Sequence, residues 1–419
     1  MIEPSNPYSK ARGYYGRPAE YSEPLLSPDV DPVLPACITD INLLLPKGRE
    51  IISYVLHLVL NRTTYSGDED GFTPIHARQL ASVVDRRFAH RVLHELLSGG
   101  LLETDGHHIK GEKSRGYRLT AHAKSLELVV IPASLGLSAK IQRLRQRLTE
   151  KANADSPVVA QLHRDLSRFT FGPGVGAMVE QLPPTESNLQ LRLTFDAFTR
   201  RRFFITRGKT GRVYHSISGM SRRLRPLLLA DNEPTCEIDV QSCQPLLLVL
   251  LYPEESLEKL RFCAALQGDF YSHLGMCLEQ HGGLRLGREE IKQRWTRETF
   301  GKMRHRQLVF SALQREFPEL CARIDQVQTP NYRELARQLQ RAESRIMIEK
   351  VVPRVKELMG DIALSTVHDA IICPASRAHG VAQIMREKFT EAVGFEVVVK
   401  IKSGKTGEST EADANTPRN

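Results

Sequence analysis

Residues 364–373 constrain the fold of this chain more than any other segment. Two apolar arms meet there at a polar tip, His368-Asp369, which predicts a β-hairpin that presents Asp369. Far upstream, residues 235–240 predict a short strand that ends beside Asp239, and the apolar run after it predicts a helix. Carboxylates on adjacent strands can hold two Mg²⁺ ions, which clamp the attacking and leaving oxygens of a phosphoryl transfer. We therefore expect two Mg²⁺ ions, or Mn²⁺ in their place, at Asp239 and Asp369, although a strand-terminal aspartate also commonly serves a turn.

A stripe of four side chains lies between the two aspartates in the sequence. Arg288, Lys292, Thr296 and Phe300 are four residues apart, so they share one face of a predicted helix that ends at Gly301. Two cations suit a triphosphate, and a small residue followed by an aromatic one suits a sugar and a base. A generic basic helix also shows cations at this spacing, so the aromatic residue before the glycine is the more specific signal.

Residues 199–230 form a second basic region, which contains no acidic residue. Aromatic side chains at 203, 204 and 214 interleave with the cations, a combination that favours phosphate neutralisation with base or sugar packing. A solvated surface more often mixes the two signs of charge. We therefore predict a nucleic-acid track, whose nine basic residues are Arg200, Arg201, Arg202, Arg207, Lys209, Arg212, Arg222, Arg223 and Arg225.

The N-terminal third has the element order of a winged helix. Helices are predicted over residues 49–60, 77–84 and 88–97, and two strands, 101–103 and 116–120, flank a polar hairpin. The second helix of a helix-turn-helix commonly enters the major groove. The alternative is a protein-contact or dimerisation module. The candidate DNA contacts are Arg86, Arg87, His90 and Arg91 on the helix, with Lys110, Lys113 and Arg115 in the wing.

Composition agrees with a nucleic-acid partner and excludes other classes. The 419 residues carry a net charge of +9, and the seven cysteines are odd in number and include no C-x-x-C pair. This favours reduced thiols in a cytoplasmic protein over a zinc module. No apolar run approaches the ~20 residues of a membrane span, and the first residues lack a signal-peptide core.

The predicted domains are a disordered tail (1–45), a winged-helix-like domain (46–125), a linker with a helical thumb-like segment (126–198), a catalytic region (199–402) and a second disordered tail (403–419).

Residues 208–402 resemble the family A DNA polymerases, the bacterial DNA polymerase I group, and more distantly the single-subunit RNA polymerases. Thr210-Gly211-Arg212 resembles the segment that grips the primer–template minor groove, and residues 238–244 (IDVQSCQ) resemble motif A. The stripe from Arg288 to Gly301 resembles motif B, and residues 367–369 (VHD) resemble motif C. Between them, Phe317-Pro318 and the later Gln340 resemble a palm segment. Four motifs in the family order are more specific than any one alone.

The resemblance implies a role for each matched residue. Asp239, Val240 and Asp369 fall at the metal site, and His368 falls near the primer terminus. Arg288 and Lys292 fall on the incoming phosphates, with Phe300 beside the template base and Thr296 and Gln244 in the nucleotide site. Arg212 and Gln340 contact the nucleic acid, together with the basic residues Arg200, Arg201, Arg202, Arg222 and Arg223.

Two departures from the family concern sugar selection. Gln244 stands where these DNA polymerases usually have a glutamate against the 2′ position, and Phe300 replaces the usual tyrosine. Residues 317–340 form a shorter stretch than in a full-length polymerase, and nothing before residue 199 resembles a proofreading exonuclease. The basic helices of residues 138–169 could serve as a small thumb.

The sequence thus predicts an α+β fold, with a winged helix before a right-hand palm of antiparallel strands and helical fingers. The predicted function is a compact DNA-directed DNA polymerase that takes primer–template and nucleoside triphosphates and has no membrane association. One alternative is an RNA polymerase or primer-synthesising enzyme on the same scaffold. The other is a non-catalytic DNA-binding replication or regulatory protein.

Overall fold

The computed structural model describes residues 22–66, 71–106 and 114–403. The helices in these residues are α1 (Leu34–Cys37), α2 (Ile41–Leu44), α3 (Pro46–Ser66), α4 (Ala77–Val83), α5 (Arg86–Ser98), α6 (Ala121–Ser125), α7 (Leu135–Asp155), α8 (Pro157–Asp165), α9 (Val175–Glu180), α10 (Glu186–Thr199), α11 (Cys243–Leu247), α12 (Leu257–Gln267), α13 (Phe270–Gly282), α14 (Arg288–Phe300), α15 (Leu308–Glu316), α16 (Pro318–Gln328), α17 (Glu334–Ser344), α18 (Val352–Met359) and α19 (Ala378–Val393). The strands are β1 (Pro24–Pro28), β2 (Thr73–Pro74), β3 (Leu102–Thr104), β4 (Gly116–Leu119), β5 (Leu128–Pro132), β6 (Phe169–Phe171), β7 (Ile205–Arg207), β8 (Val213–His215), β9 (Leu228–Ala230), β10 (Glu233–Val240), β11 (Ser365–Val367), β12 (Ala370–Pro374) and β13 (Val399–Ser403). All strand pairs within the described ranges are antiparallel, so the fold mixes helices with antiparallel sheets, as predicted.

The chain divides into two compact units. The N-terminal unit comprises Met1–Glu150 and Ala177–Ala197, and the C-terminal unit comprises Lys151–Gly176 and Phe198–Asn419. Each unit has its own cluster of buried apolar side chains.

In the N-terminal unit, α3 supplies a fully buried apolar face at helical spacing, Ile52, Val55, Leu56 and Val59. The pair α4–α5 follows, and the strands pair in the order β2-β4-β3, with Leu102 opposite Leu119. The predicted helices and strands of this region are therefore present to within a few residues. Lys110 and Lys113 of the predicted wing lie outside the described residues.

The predicted tail over residues 1–45 is wrong for the part that the structure describes. Strand β1 pairs with β5, and Leu25 and Leu26 between its prolines are buried. Two apolar residues are too short a run to give a periodic signal, and the partner strand lies about a hundred residues away. Residues 1–21 and 404–419 lie outside the described part of the chain, while Ser403 ends β13.

Residues 126–198 do not form the separate linker and thumb-like segment that was predicted. Most of α7 belongs to the N-terminal unit, whereas α8 belongs to the C-terminal unit. There Asp165 is buried and pairs with Lys356 Nζ at 2.7 Å. Because a buried carboxylate needs such a partner, α8 is tied into the core of its unit.

The sheet of the C-terminal unit runs β11-β12-β10-β9-β6, and β13 also pairs with β10. Along β10, Cys236, Ile238 and Val240 are buried, whereas Glu237 and Asp239 lie on the opposite, more open face. Helix α19 packs against β10 and β13. Because side chains alternate between the two faces of a strand, the charged residues of β10 are collected on the open face of the sheet.

None of the helices in the described residues is long and apolar enough to cross a membrane. All seven cysteines are free thiols, as predicted.

Candidate active site

The sheet brings the two predicted aspartates to one end of neighbouring strands. Asp239 on β10 lies opposite Ala370 on β12, and Asp369 immediately precedes Ala370 in the turn that joins β11 to β12. The predicted hairpin and the predicted strand are therefore adjacent, with both carboxylates at the same end of the paired strands. The local amino-acid patterns predicted each strand, and the β10–β12 register brings the two strands together.

Both aspartates stand beside strained backbone. His368 has φ of 58° and Ser242 has φ of 50°, in the left-handed region that costs a residue with a side chain roughly 1–2 kcal/mol. His368 turns the chain between β11 and β12, and Ser242 turns it from β10 into α11. Residues held in such conformations cluster at functional sites. The tight turns fix the positions of Asp369 and of the residues that follow Asp239.

Asp369 is the carboxyl group whose proton affinity is most relevant here. Burial, followed by the negative charges of Asp239 and Glu343, raises its pKa to about 7, while Arg212 opposes the shift. A buried group that is hard to ionise beside other carboxylates is a location where a cation lowers the electrostatic energy. Mg²⁺ is commonly bound by one or two carboxylates with substrate phosphates completing its shell. The pair Asp239 and Asp369 fits that requirement, and the described residues offer no cluster of three or more His, Cys, Asp or Glu side chains for a metal.

A lysine that sequence reasoning missed contacts this site. Lys402 Nζ lies 2.7 Å from Asp239 Oδ2 and 3.8 Å from Glu237. The β10–β13 register places Lys402 opposite Glu237 and Lys400 opposite Asp239, so all four charged side chains share the open face of the sheet. The alternation of lysine with apolar residues in β13 is the sequence signal that indicates this face.

Arg212, predicted to contact nucleic acid, forms a buried ion pair with Glu343. Its Nε donates to Glu343 Oε1 at 2.9 Å, and only 13% and 3% of the two side chains are exposed. Gly211, with φ of 85°, makes this approach feasible, since a Cβ there would lie 3.1 Å from Ser344 Cβ. Burial raises the pKa of Glu343, and the bonded guanidinium of Arg212 opposes that shift. Arg212 therefore holds the β7–β8 hairpin against α17, a structural role that the resemblance did not imply.

The same hairpin is fixed to the motif that carries Asp369. His215, fully enclosed, bonds the carbonyl of Thr366 on β11 through Nε2 at 2.8 Å. Tyr214 packs its ring edge against His368 at a centroid distance of 5.9 Å. Burial, then Arg212 and Arg225, lower the pKa of His368 to about 4, so its imidazole is neutral at pH 7.

The predicted stripe lies on α14, which begins at Arg288 and is capped by Gly301, as predicted. Arg288 and Lys292 both lie over the ring of Tyr271, at 5.4 Å and 5.9 Å. Arg288 also pairs with Asp269, Nε to Oδ2, at 2.7 Å. Burial raises the pKa of Tyr271, Arg288 opposes that shift, and the charges of Asp269, Glu289 and Asp369 add to it.

The other end of α14 is partly enclosed. Thr296 is exposed and donates its hydroxyl to the Lys292 carbonyl at 2.9 Å, while Phe300 is half-buried against Trp295 at 5.1 Å. Tyr271 and Asp269 are further residues that sequence reasoning missed, and neither stands out in the pattern of its helix.

Three further predicted residues take different positions around the site. Gln244 is half-buried in α11, immediately beyond the Ser242 turn, and Gln340 is half-buried in α17. Val240 is buried at the end of β10, opposite Val399. The neighbouring Gln241 donates to the Gly268 carbonyl at 2.8 Å, which ties the end of β10 to the start of α13.

The basic region 199–230 is less uncompensated than the sequence predicted. Arg207 pairs with Glu349 at 3.1 Å, Arg225 with Glu237 at 3.3 Å, and Arg212 with Glu343. The acidic partners come from elsewhere in the chain, so no inspection of the segment alone reveals them. Arg201 donates to the Ser167 carbonyl at 2.8 Å. The predicted contacts Arg200, Arg201, Arg222 and Arg223 are exposed, and Arg202 is half-buried.

Comparison with protein-family models gives no match, and no curated protein matches the chain. Among solved structures, the POL domain of Pol1 from M. smegmatis, in a complex with DNA primer-template and dNTP, superposes with a TM-score of 0.41 and 12% sequence identity. The superposition covers 52% of this chain and 51% of that one, so this chain spans about half of its length. A likeness of this extent carries no argument about function, so a function has to be inferred from the residues of the site.

Proposed function

We propose that the C-terminal unit catalyses template-directed nucleotidyl transfer, in which a primer 3′-hydroxyl attacks the α-phosphate of a nucleotide and pyrophosphate leaves. The observation that carries the proposal is the adjacency of Asp239 and Asp369 on neighbouring strands, with the pKa of Asp369 raised to about 7. Two carboxylates that raise each other's electrostatic energy form a site for divalent cations. The order of the four motifs supports the same function.

Asp239 and Asp369 would hold the metal, with the Val240 carbonyl as a further donor. Mg²⁺ or Mn²⁺ held there would supply Lewis-acid chemistry, lowering the pKa of the attacking hydroxyl and offsetting negative charge on the leaving oxygen. Arg288 exchanges its carboxylate partner Asp269 for the triphosphate, and Lys292, one turn further, neutralises the departing charge. His368, neutral at pH 7, packs beside the primer terminus and adds no charge to the site.

Nucleic acid follows the exposed cations of the basic region. Arg200, Arg201, Arg202, Arg222 and Arg223 contact phosphates, and Gln340 contacts the primer–template. Arg212 acts through its ion pair with Glu343, which positions the β7–β8 hairpin against the site. The N-terminal unit, whose elements follow the order of a winged helix, supplies a second surface for DNA.

Gln244 and Phe300 are the residues of the site that bear on the choice of sugar. A DNA polymerase without proofreading is the first expectation, since a glutamine retains most of the bulk that excludes a 2′-hydroxyl. An RNA polymerase or primer-synthesising enzyme is the alternative on the same scaffold. A non-catalytic DNA-binding protein is favoured by one observation, the ion pair of Lys402 with Asp239, which offers the carboxylate a cation of the chain's own.

Primer extension on a defined DNA template separates these functions. The purified chain is supplied with Mg²⁺ and either deoxyribonucleotides or ribonucleotides. Template-complementary extension with deoxyribonucleotides supports the proposal, and extension with ribonucleotides alone supports an RNA polymerase. Extension with neither, by a protein that binds the primer–template, indicates the non-catalytic alternative.

A further inference from the structure

The N-terminal unit contains a cleft of about 1480 Å³ that the nucleotidyl-transfer proposal does not use. Its wall is formed by the first turns of α3, α5 and α7, by the last residues of α2 and α4, and by the end of β5. The N-terminus of a helix carries a partial positive charge and its C-terminus a partial negative charge. Three N-terminal ends against two C-terminal ends, those of the short helices α2 and α4, leave a balance that favours a negatively charged occupant.

Side-chain charges favour the same occupant. Three cations of the cleft wall, Lys47, Arg87 and Lys140, are exposed and form no ion pair within the described residues. Among the residues that the structure describes, the wall also carries three carboxylates, which its five cations, Arg49 and Arg91 included, outnumber by two. Of these described carboxylates, only Asp31 is compensated by a cation of the wall, whereas Glu50 and Asp85 accept hydrogen bonds and keep their charge. Asp31 pairs with Arg49 at 3.2 Å, Glu50 accepts the Ser134 hydroxyl at 3.0 Å, and Asp85 accepts the Arg87 backbone N–H at 2.9 Å.

The cleft also offers an aromatic surface. Phe88 lines it, half-buried, with the Arg91 guanidinium, which also pairs with Asp40 at 3.0 Å, 5.9 Å from the centre of its ring. Apolar side chains continue the lining at Ile131 and Leu137. A ring and a guanidinium beside unpaired cations are the combination on which single-stranded nucleic acids bind, with bases on the aromatic face and phosphates on the cations.

The cleft changes the assignment of the candidate recognition helix. Arg87 and Arg91 line the cleft, whereas Arg86 and His90, on the adjacent face of α5, do not. The four residues that the sequence groups as one DNA-reading surface therefore face two different directions. Only Arg86 and His90 are placed for a duplex groove on the outer face.

We infer that this cleft binds a short stretch of single-stranded nucleic acid. Its phosphates lie against Lys47, Arg87 and Lys140, and one base stacks on Phe88. The cleft exceeds the 300–1,000 Å³ typical of small-molecule pockets, which favours several linked nucleotides over one free nucleotide. This binding is independent of nucleotidyl transfer, because every residue that it uses belongs to the N-terminal unit.

The test uses the full chain and an oligothymidylate of twelve nucleotides that carries one photoreactive 4-thiothymidine. We expect crosslinks in the peptide that contains Phe88. The triple variant Lys47→Glu/Arg87→Glu/Lys140→Glu should lose those crosslinks and bind the oligonucleotide at least about tenfold more weakly. The slope of log K against log salt should fall by about 2, since each single-strand phosphate contact contributes about 0.7.

The matched control is Arg78→Glu/Lys124→Glu/Arg147→Glu, which reverses three exposed charges of the same unit outside the cleft. It should keep the Phe88 crosslinks. If the charge reversals unfold the unit, the neutral variant Lys47→Gln/Arg87→Gln/Lys140→Gln replaces them, with a smaller loss expected. Equal losses in cleft and control variants, crosslinks confined to the C-terminal unit, or a cleft variant that loses only duplex or free-nucleotide binding would each overturn the inference.

Discussion

Replacing Lys402 by methionine should increase the affinity of the site for divalent cations. Lys402 Nζ contacts Asp239 at 2.7 Å, so a metal ion must displace it to use that carboxylate fully. Methionine keeps the length and apolar stem of the side chain and removes only the charge. If Lys402 helped to bind the metal, the same substitution would weaken metal binding.

The size of the effect follows from the exposure of the pair. The side chains of Lys402 and Asp239 are 55% and 29% exposed, and ion pairs in such positions contribute roughly 0.2–1 kcal/mol. Loss of the competing interaction should therefore tighten metal binding by up to about fivefold. The gain should shrink as salt is added, because exposed charges are screened.

Titration with Mn²⁺, followed by the electron paramagnetic resonance of the free ion, measures this affinity without any reaction. Lys400→Met is the matched control, since Lys400 lies on the same face of β13 but forms no ion pair in the described residues. We expect a larger gain for Lys402→Met than for Lys400→Met. Equal gains, or weaker binding by Lys402→Met, would refute the idea that Lys402 competes with the metal.

The ion pair of Arg212 and Glu343 should be structural. Arg212→Ala leaves a buried carboxylate unpaired and should lower the free energy of unfolding by about 3–5 kcal/mol. Arg207→Ala, whose partner Glu349 is 55% exposed, should lower it by less than about 1 kcal/mol. Urea denaturation followed by the fluorescence of Trp295, the only tryptophan, measures both, and equal costs would contradict this role. Acid should destabilise the same unit. Burial lowers the pKa of His215 to about 4, whereas the unfolded chain takes up that proton near pH 6.5. The free energy of unfolding should therefore fall by about 3 kcal/mol as the pH falls from 6.5 to 4. His215→Gln should remove that part of the pH dependence, and an unchanged dependence would assign it to other groups. Gln244→Gly should raise kcat/KM for ribonucleotides relative to deoxyribonucleotides, and a ratio that does not move would show that Gln244 does not exclude the 2′-hydroxyl.

The elements of this fold that sequence predicts are the ones with a local periodic signal. The stripe of α14, the hairpin around Asp369 and the strand of Asp239 each follow from residues that are close in the chain. Their adjacency was a hypothesis from the chemistry of paired carboxylates and from the resemblance, not from any local pattern, because the β10–β12 register joins residues about 130 positions apart.

The features that the sequence did not predict depend on partners far along the chain. Strand β1 is ordered by β5, and Lys402 reaches Asp239 across 163 positions. The arginines of the basic region find carboxylates that lie outside the segment. A local count of charges therefore overestimated the surface available to phosphates.

The most direct test of the central claim is the rate of template-directed incorporation by Asp369→Asn. Removal of a metal ligand should lower that rate at least about a thousandfold, since metal clamping contributes several kcal/mol. At pH 8 the C-terminal unit of Asp369→Asn should be at least as stable to unfolding as that of the wild type. The raised pKa of Asp369 means that its ionised form disfavours the fold at that pH. The exposed Asp155→Asn should match the wild type in both measurements. An Asp369→Asn variant that incorporates nucleotides at the wild-type rate would contradict the account.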